Sequence, residues 1–352
     1  MTRTRSYCEA IHEALHQAME ADPHVIVMGE GVDDPRAIFG STQGLQERFG
    51  KPRVSDLPLS ENGMTGVMIG AALTGLRPVM THQRLDFTLY AMDQLVNHAA
   101  KRCYTSGGVQ SVPLTIRAIV GRGWGQGSQH SQSLHAWFAH IPGLKVIMPA
   151  TPYDMKGLLL AAIRDPNPVI CIEHRKLYEE RGDVPERPYT IPLGEGIVRR
   201  QGTDVTLVAI SSMVVDAMRA ASLLEQTGIS VEVIDPRTVK PLDVALIVSS
   251  VEKTGRLVIA DPGWAICGLS AEVAAVVAER AFPSLKSAIR RVALPDIPTP
   301  TSHVLERAFY PGANEIAQAV SDVMGGDRRG KMATAASTQG QPTAEPVFVG
   351  PF

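Results

Sequence analysis

One carboxylate, Glu61 in Leu59-Ser60-Glu61-Asn62-Gly63, opens a glycine-rich stretch that carries no other charge from Met64 to Gly75. A lone glutamate entering so apolar a segment is expected near protein interior. Desolvation there favours its protonated form and suits it to carrying a proton. The plainer alternative is a solvated charge at a helix start, favoured by the macrodipole. A second feature is the polar, glycine-dense run from Gly121 to Ser133, which ends in His130-Ser131-Gln132-Ser133. It follows a strand-like segment around 114–120, and open α/β sheets bind ligands beyond the carboxyl ends of their strands. No part of the run has Gly-x-Gly-x-x-Gly spacing, so a dinucleotide fingerprint is excluded at the motif level. Loop histidines commonly make only surface hydrogen bonds, so His130 gains weight only in company.

The elements that must hold these residues alternate. Ile11, Leu15 and Met19 recur at helical spacing between Ser6 and Asp22, and Val25-Ile26-Val27-Met28 reads as a buried strand. Further strands are expected at Pro78–Met80, Leu114–Ile116, Lys145–Met148 and Val169–Ile172, with helices at Tyr90–Tyr104 and Tyr153–Arg164 between them. This alternation implies a largely parallel sheet covered on both faces. The proline- and charge-rich segment Arg181–Gly196 reads as a surface linker. Beyond it, strand cores at Val205–Ile210, Val231–Ile234 and Leu257–Ala260 and helices at Val214–Leu224 and Ser270–Ala281 form a second unit of the same type. The fold class is therefore α/β with two doubly wound domains, expected at 1–180 and 201–325 with a linker at 181–200. The segment 326–352 is too polar to bury much apolar area and is expected to be disordered.

The length of 352 residues also favours two domains. A hydrophobic share of 44% and a charged share of 20% are ordinary globular values. The formal net charge of -2 lacks the basic surplus that phosphate-backbone binding needs, so no nucleic-acid partner is expected. Cys8, Cys103, Cys171 and Cys267 form no Cys-x-x-Cys pair, which argues against zinc ribbons and fits a reduced, cytoplasmic setting. The N-terminus shows no signal-type apolar block, and no apolar stretch reaches the roughly 20 residues of a membrane span.

Several motifs in order then become informative: Leu59-Ser60-Glu61-Asn62-Gly63, Gly70-Ala71-Ala72, Gly75-Leu76-Arg77-Pro78, Met92-Asp93-Gln94, Ala99-Ala100-Lys101 and His130-Ser131-Gln132-Ser133. Pro142–Val146, Asn167-Pro168, Val233–Thr238 and Lys253–Leu257 extend the series. The chain resembles, from about residue 5 to 325, the beta subunit of thiamine diphosphate-dependent 2-oxoacid dehydrogenases of the pyruvate and branched-chain type. The resemblance implies a transketolase-like pyrimidine-binding domain followed by a transketolase C-terminal-like domain. It implies that Glu61 hydrogen-bonds the cofactor's aminopyrimidine and promotes the tautomer that removes the thiazolium proton. Phe87 then packs on that ring, and Gln83 faces the cofactor nearby. His130 lies at the mouth of the site, suited to orienting the oxoacid or passing a proton during acyl transfer to a lipoyl group.

The resemblance also implies a potassium ion held by oxygens of Leu114, Ala162, Ile163, Asp165 and Asn167, although Asp165-Pro166-Asn167-Pro168 is equally a plain turn. In such enzymes a Gly-Asp-Gly segment holds the diphosphate and magnesium, and this chain has none. The missing half implies an alpha subunit in a two-alpha, two-beta assembly that includes a second beta subunit, with a lipoyl acyltransferase downstream. The helix holding Gly63, Gly66, Gly70 and Gly75 is then an interface element. Arg84 departs from the pattern, since relatives commonly carry an apolar aromatic there, and Asn62 and Met64 replace Met and Phe. A surface-facing arginine is the simplest account of Arg84; pairing with a second carboxylate or a phosphate on the substrate is the other. Three alternatives stay open: a two-subunit thiamine synthase with a non-lipoyl acceptor, a non-catalytic assembly subunit, and a nicotinamide dehydrogenase without its glycine fingerprint.

Overall fold

The computed structural model describes residues 2–34, 36, 38–121 and 126–325. The chain divides into two compact units, the first built from Met1–Gly121, His130–Glu195 and Arg237–Leu242. Its centre is a seven-stranded sheet. The strands are β2 (Val25–Gly29), β3 (Val54–Asp56), β4 (Arg77–His82), β5 (Thr115–Val120), β6 (Lys145–Ile147), β7 (Val169–His174) and β12 (Thr238–Lys240), in the order β12-β6-β7-β5-β4-β2-β3. All neighbours run parallel except the antiparallel β12–β6 pair at one edge. β5 and β7 are buried on both faces, which explains their near-continuous apolar sequences. The parallel sheet and most expected strands are present within a residue or two at each end.

Helix Tyr7–Ala21 shows how the sequence starts an element. The Ser6 hydroxyl accepts from Glu9 N at 3.1 Å and the Glu9 carboxylate accepts from Ser6 N at 2.6 Å, a capping box that contributes about 1 kcal/mol. Its Ile11, Leu15 and Met19 stripe is buried and packs on helix Pro152–Arg164. Three sequence expectations need correction. The single helix expected at Tyr90–Tyr104 is a 3-10 turn (Leu89–Ala91), a π-helical turn (Gln94–Ala99) and a short α-helix (Arg102–Thr105). Arg181–Pro185 (β8) is no free linker but pairs antiparallel with β1 (Thr2–Ser6). Finally, Arg237–Leu242 groups with the first unit, tied by a buried Arg237–Asp154 ion pair at 3.1 Å and by Lys240 Nζ donating to the carbonyls of Ala139 and Ile141.

Arg117 on β5 and Glu173 on β7 are diagonal neighbours, both fully buried, with Nε to Oε1 at 2.5 Å and Nη2 to Oε2 at 3.0 Å. Ser41 accepts from the guanidinium, and the Tyr178 hydroxyl donates to Glu173 at 2.6 Å. Glu173→Gln would leave a buried guanidinium without its counter-charge. Chemical denaturation should register a loss of about 3 to 5 kcal/mol, and a loss below about 1 kcal/mol would contradict the pairing.

The second unit holds residues 126–129, 196–236 and those described after 242. Its five-stranded sheet runs β14 (Arg290–Leu294), β13 (Leu257–Trp264), β10 (Val205–Ala209), β11 (Val231–Asp235) and β9 (Ile197–Arg200), with only β9 antiparallel to its neighbour. Helices Met213–Glu225, Val244–Thr254, Leu269–Ala281 and Ala313–Val323 pack against it. No helix among the described residues is long and apolar enough to cross a membrane. The tail from 326 lies outside the described residues.

Candidate active site

Three neighbouring strands of the first unit deliver their carboxyl ends to one cleft. β2 ends at Gly29 and leads to Glu30 and Gly31, β3 leads from Asp56 to Leu57 and Leu59, and β4 leads to Gln83, Phe87 and Tyr90. With Glu61, these residues line a cleft of ≈ 520 Å³, within the usual size range of small-molecule sites. Two glycines let the walls come this close. A Cβ at Gly29 would sit 2.3 Å from the Thr81 carbonyl oxygen, and one at Gly31, whose φ is +74°, would sit 2.7 Å from Gln83 Nε2. Asp56 accepts from Gly31 N at 2.6 Å, and Gln83 Nε2 donates to the Glu30 carbonyl at 3.4 Å, so the rim is tied across strands.

Glu61 is the first residue of helix Glu61–Leu73, half-buried, with no hydrogen bond or ion pair to its carboxylate among the described residues. Its surroundings differ from the apolar niche expected from sequence: the cleft holds three carboxylates, Glu30, Asp56 and Glu61, and no basic side chain. Glu30 is the residue that sequence reasoning missed. Burial first, then the Glu61 and Asp56 carboxylates, push its carboxyl up to about 7. The available signal was its place just past strand Val25–Gly29, where the carboxyl-end rule applies as it does to Gln83.

The sign of the effect on stability follows from linkage. A carboxyl held above its unfolded value keeps its proton in the native state while the unfolded chain has lost it, so stability falls as pH rises from about 4.5 through about 7 and stays low above. Glu30 is half-exposed, so solvent screening reduces the effect to about 1 to 2 kcal/mol. Glu30→Gln should therefore flatten the fall in denaturation midpoint between pH 5 and pH 8. An unchanged pH profile in that variant would remove Glu30 from the acid cluster.

Phe87 joins the cleft to His130. Their rings meet edge to face with centroids 5.2 Å apart, so the two residues singled out in different motifs are in contact. The loop bearing His130 is anchored by Asp86, whose Oδ1 accepts from Gln132 N at 3.2 Å and from Gln132 Nε2 at 2.9 Å. Glu61, Gln83, Phe87 and His130 thus come together; Asp86 and Glu30 are supporting residues that local sequence left unmarked, and Gln132 stood in the His130 motif without an assigned role. Residues 122–125 of the glycine-dense run lie outside the described residues. Arg84 is not surface-facing, because only 5% of it is exposed.

Four of the five residues expected to cage potassium have an oxygen that accepts a hydrogen bond. Leu114 O accepts from Val169 N, Ala162 O from Asp165 N, and Ile163 O from Arg77 Nη1 at 3.1 Å. The Asp165 carboxylate takes Lys145 Nζ and Asn167 N. Arg77 and Lys145 thus bring positive charge to the same turn that was expected to cage a cation. Exchanging potassium for sodium chloride at equal ionic strength should leave the melting temperature unchanged; a rise specific to potassium would show that Arg77 gives way.

With this geometry in place, comparison with known proteins defines the class. Residues 3–181 match the family model "Transketolase, pyrimidine binding domain", and residues 194–316 match "Transketolase, C-terminal domain". A solved split-gene transketolase, described as an inactive beta4 tetramer, superposes with a TM-score of 0.73 at 23% identity, covering 91% of this chain and 98% of its own. The acetoin:2,6-dichlorophenolindophenol oxidoreductase subunit beta of Cupriavidus necator is 44% identical over 93% of this chain and 100% of its own length, and that of Bacillus subtilis is 42% identical over 92% and 98%. The pyruvate dehydrogenase E1 component subunit beta of Bacillus subtilis is 42% identical over 90% and 97%. The chain belongs to the transketolase family, among the dehydrogenase E1 beta subunits of that fold.

Proposed function

We propose that this chain is the beta subunit of a thiamine diphosphate-dependent 2-oxoacid dehydrogenase, an enzyme that decarboxylates a 2-oxoacid and passes the acyl group to a lipoyl carrier. The carrying observation is the composition of the cleft. A carboxylate beside two aromatic rings suits the neutral, flat end of the cofactor, whereas three carboxylates and no cation repel a diphosphate. No group of three or more His, Cys, Asp or Glu side chains among the described residues is disposed to hold a metal. The charged end and its magnesium ion therefore fall to an alpha subunit carrying the Gly-Asp-Gly segment. Potassium is left out of this reading.

When bound, thiamine diphosphate supplies a nucleophilic carbon and an electron sink for the departing carboxylate. Glu61 holds and exchanges a proton at the aminopyrimidine edge, and Glu30 beside it shares that negative charge near neutral pH. In this reading Phe87 packs on the ring and touches His130, which is assigned to orienting the oxoacid or passing a proton during acyl transfer. In this reading a second beta subunit and a lipoyl acyltransferase complete the assembly, and four cysteines without a disulfide among the described residues suit a reduced, cytoplasmic setting.

The helix after Glu61 supports a partner. Val67 and Leu73 are exposed on it, Leu59 and Tyr90 beside it, and a Cβ at Gly70 would meet nothing within 4 Å among the described residues. No contact among the described residues requires a glycine there, and a partner backbone approaching this face would. Gly75 ends the helix instead of lying in it, with φ +102° and Leu76 N bonded to Ala71 O at 3.1 Å. Co-expression with a neighbouring Gly-Asp-Gly chain should give 2-oxoacid-dependent reduction of a lipoyl domain. Carboligation without any lipoyl reduction would replace this reading by the synthase.

A further inference from the structure

His130 stands on a stretch without regular structure. Between the turn ending at Gln129 and helix His135–His140, no residue belongs to a helix or a strand. A side chain on such a segment keeps one position only if other side chains grip the segment. Two neighbours do so here. Asp86 Oδ1 accepts from both Gln132 N and Gln132 Nε2, and the next residue, Phe87, meets the His130 ring edge to face. The loop is thus gripped at 130 and at 132 by consecutive residues of the short helix Leu85–Thr88, whose own Leu85 and Thr88 are fully buried.

Asp86 is itself buried, an expensive place for a carboxylate. Burial pushes its carboxyl up, while the two bonds from Gln132 and the Arg84 guanidinium pull it back down. Arg84, two residues earlier and equally buried, feels the Asp86 charge in return. The arginine that departs from the family pattern therefore has a use inside the subunit, since its charge offsets the cost of an ionised Asp86. Ionisation matters to the grip, because a charged acceptor makes hydrogen bonds roughly twice as strong as a neutral one. Neither Asp86 nor Gln132 lines the cleft, and the charges felt at Glu30 are those of Glu61 and Asp56.

We propose that Asp86 is a positioning residue: acting through Gln132, it holds the His130 imidazole against Phe87, and so sets the oxoacid-facing half of the site independently of the carboxylates that exchange the cofactor's proton. The proposal rests on the thiamine-dependent reading above. Asp86 acts by geometry alone, since both of its bonds go to the loop. A group that passes a proton or orients a substrate loses about 100-fold when it is displaced by an ångström. The loss should fall on the steps assigned to His130, orienting the oxoacid and acyl transfer, and spare the proton exchange assigned to Glu61. A residue that only stabilised the fold would affect both halves alike.

The test compares wild type with Asp86→Asn, Asp86→Ala and Gln132→Ala. Nuclear magnetic resonance of labelled histidine on the purified full-length chain, with the His130 signal assigned through His130→Asn, reads the ring contact directly. Asp86→Ala should abolish the shift that Phe87 imposes on that signal, and Asp86→Asn, which keeps an acceptor of the same shape, should retain it. In the complex assembled with its partner, Asp86→Ala should lower kcat for lipoyl reduction by about 100-fold, with Asp86→Asn within about 10-fold of wild type. Gln132→Ala, which keeps the backbone bond, should move the signal part way and lose about 5-fold, and adding it to Asp86→Ala should cost nothing more. Deuterium exchange at the thiazolium carbon should stay within about 3-fold of wild type throughout. An unmoved His130 signal with unchanged kcat in Asp86→Ala overturns the proposal; if that variant does not fold, the same result in Gln132→Ala overturns it. Exchange that falls in step with lipoyl reduction overturns it too, because Asp86 would then support the whole cleft. A His130 signal that moves in Asp86→Ala, beside a wild-type complex with no thiamine-dependent decarboxylation, would leave the brace standing and remove the thiamine reading.

Discussion

Glu61→Gln is expected to lower kcat by about 10² to 10⁴ while the chain folds and assembles normally. The side chain keeps its length and one hydrogen-bonding oxygen, so the loss isolates proton exchange. Glu61 makes no structural hydrogen bond or ion pair among the described residues, and replacing it breaks nothing in the scaffold. Removing one of three clustered carboxylates should in addition relieve Glu30, drawing its carboxyl back toward the ordinary range. A structural role for Glu61 predicts the opposite pattern, a lowered melting temperature with activity retained per folded molecule. Turnover within about twofold of wild type would take Glu61 out of the mechanism.

The second large effect concerns assembly and has opposite signs on chain and complex. Glycine inside a helix costs about 1 kcal/mol relative to alanine, and nothing among the described residues crowds a side chain at position 70. Gly70→Ala should therefore raise the melting temperature of the isolated chain, and Gly70→Glu should leave it folded. In the complex, Gly70→Glu places a charged side chain where a partner backbone must approach, so sedimentation should show separate subunits and activity should fall to background. If Gly70→Glu assembles and works like wild type, the exposed face carrying Val67 and Leu73 is not the partner surface.

Much of this arrangement was legible in the residues. The buried runs at Val25–Gly29 and Val169–His174 announce themselves because both faces of a parallel strand are covered. Strands Thr2–Ser6 and Arg181–Pro185 were hidden, since each is polar and is a strand only by pairing with the other far along the chain. The π-helical turn at Gln94–Ala99 keeps helical spacing and is indistinguishable from an α-helix in a local pattern. Glu61, Phe87 and His130 could be named from motifs, and the structure brings Phe87 and His130 into contact. Glu30 escaped because its character comes from two carboxylates at distant positions, and the burial of Arg84 depends on loops from β4 and β7 that no local window compares.

The central claim is that this chain handles the proton while another chain grips the cofactor's charged end. Calorimetry with thiamine diphosphate and magnesium measures it directly, first on the purified chain and then on the chain assembled with its Gly-Asp-Gly partner. The account predicts no measurable heat of binding from the chain alone and a stoichiometric, tight transition once the partner is present. Tight binding by the isolated chain would contradict it.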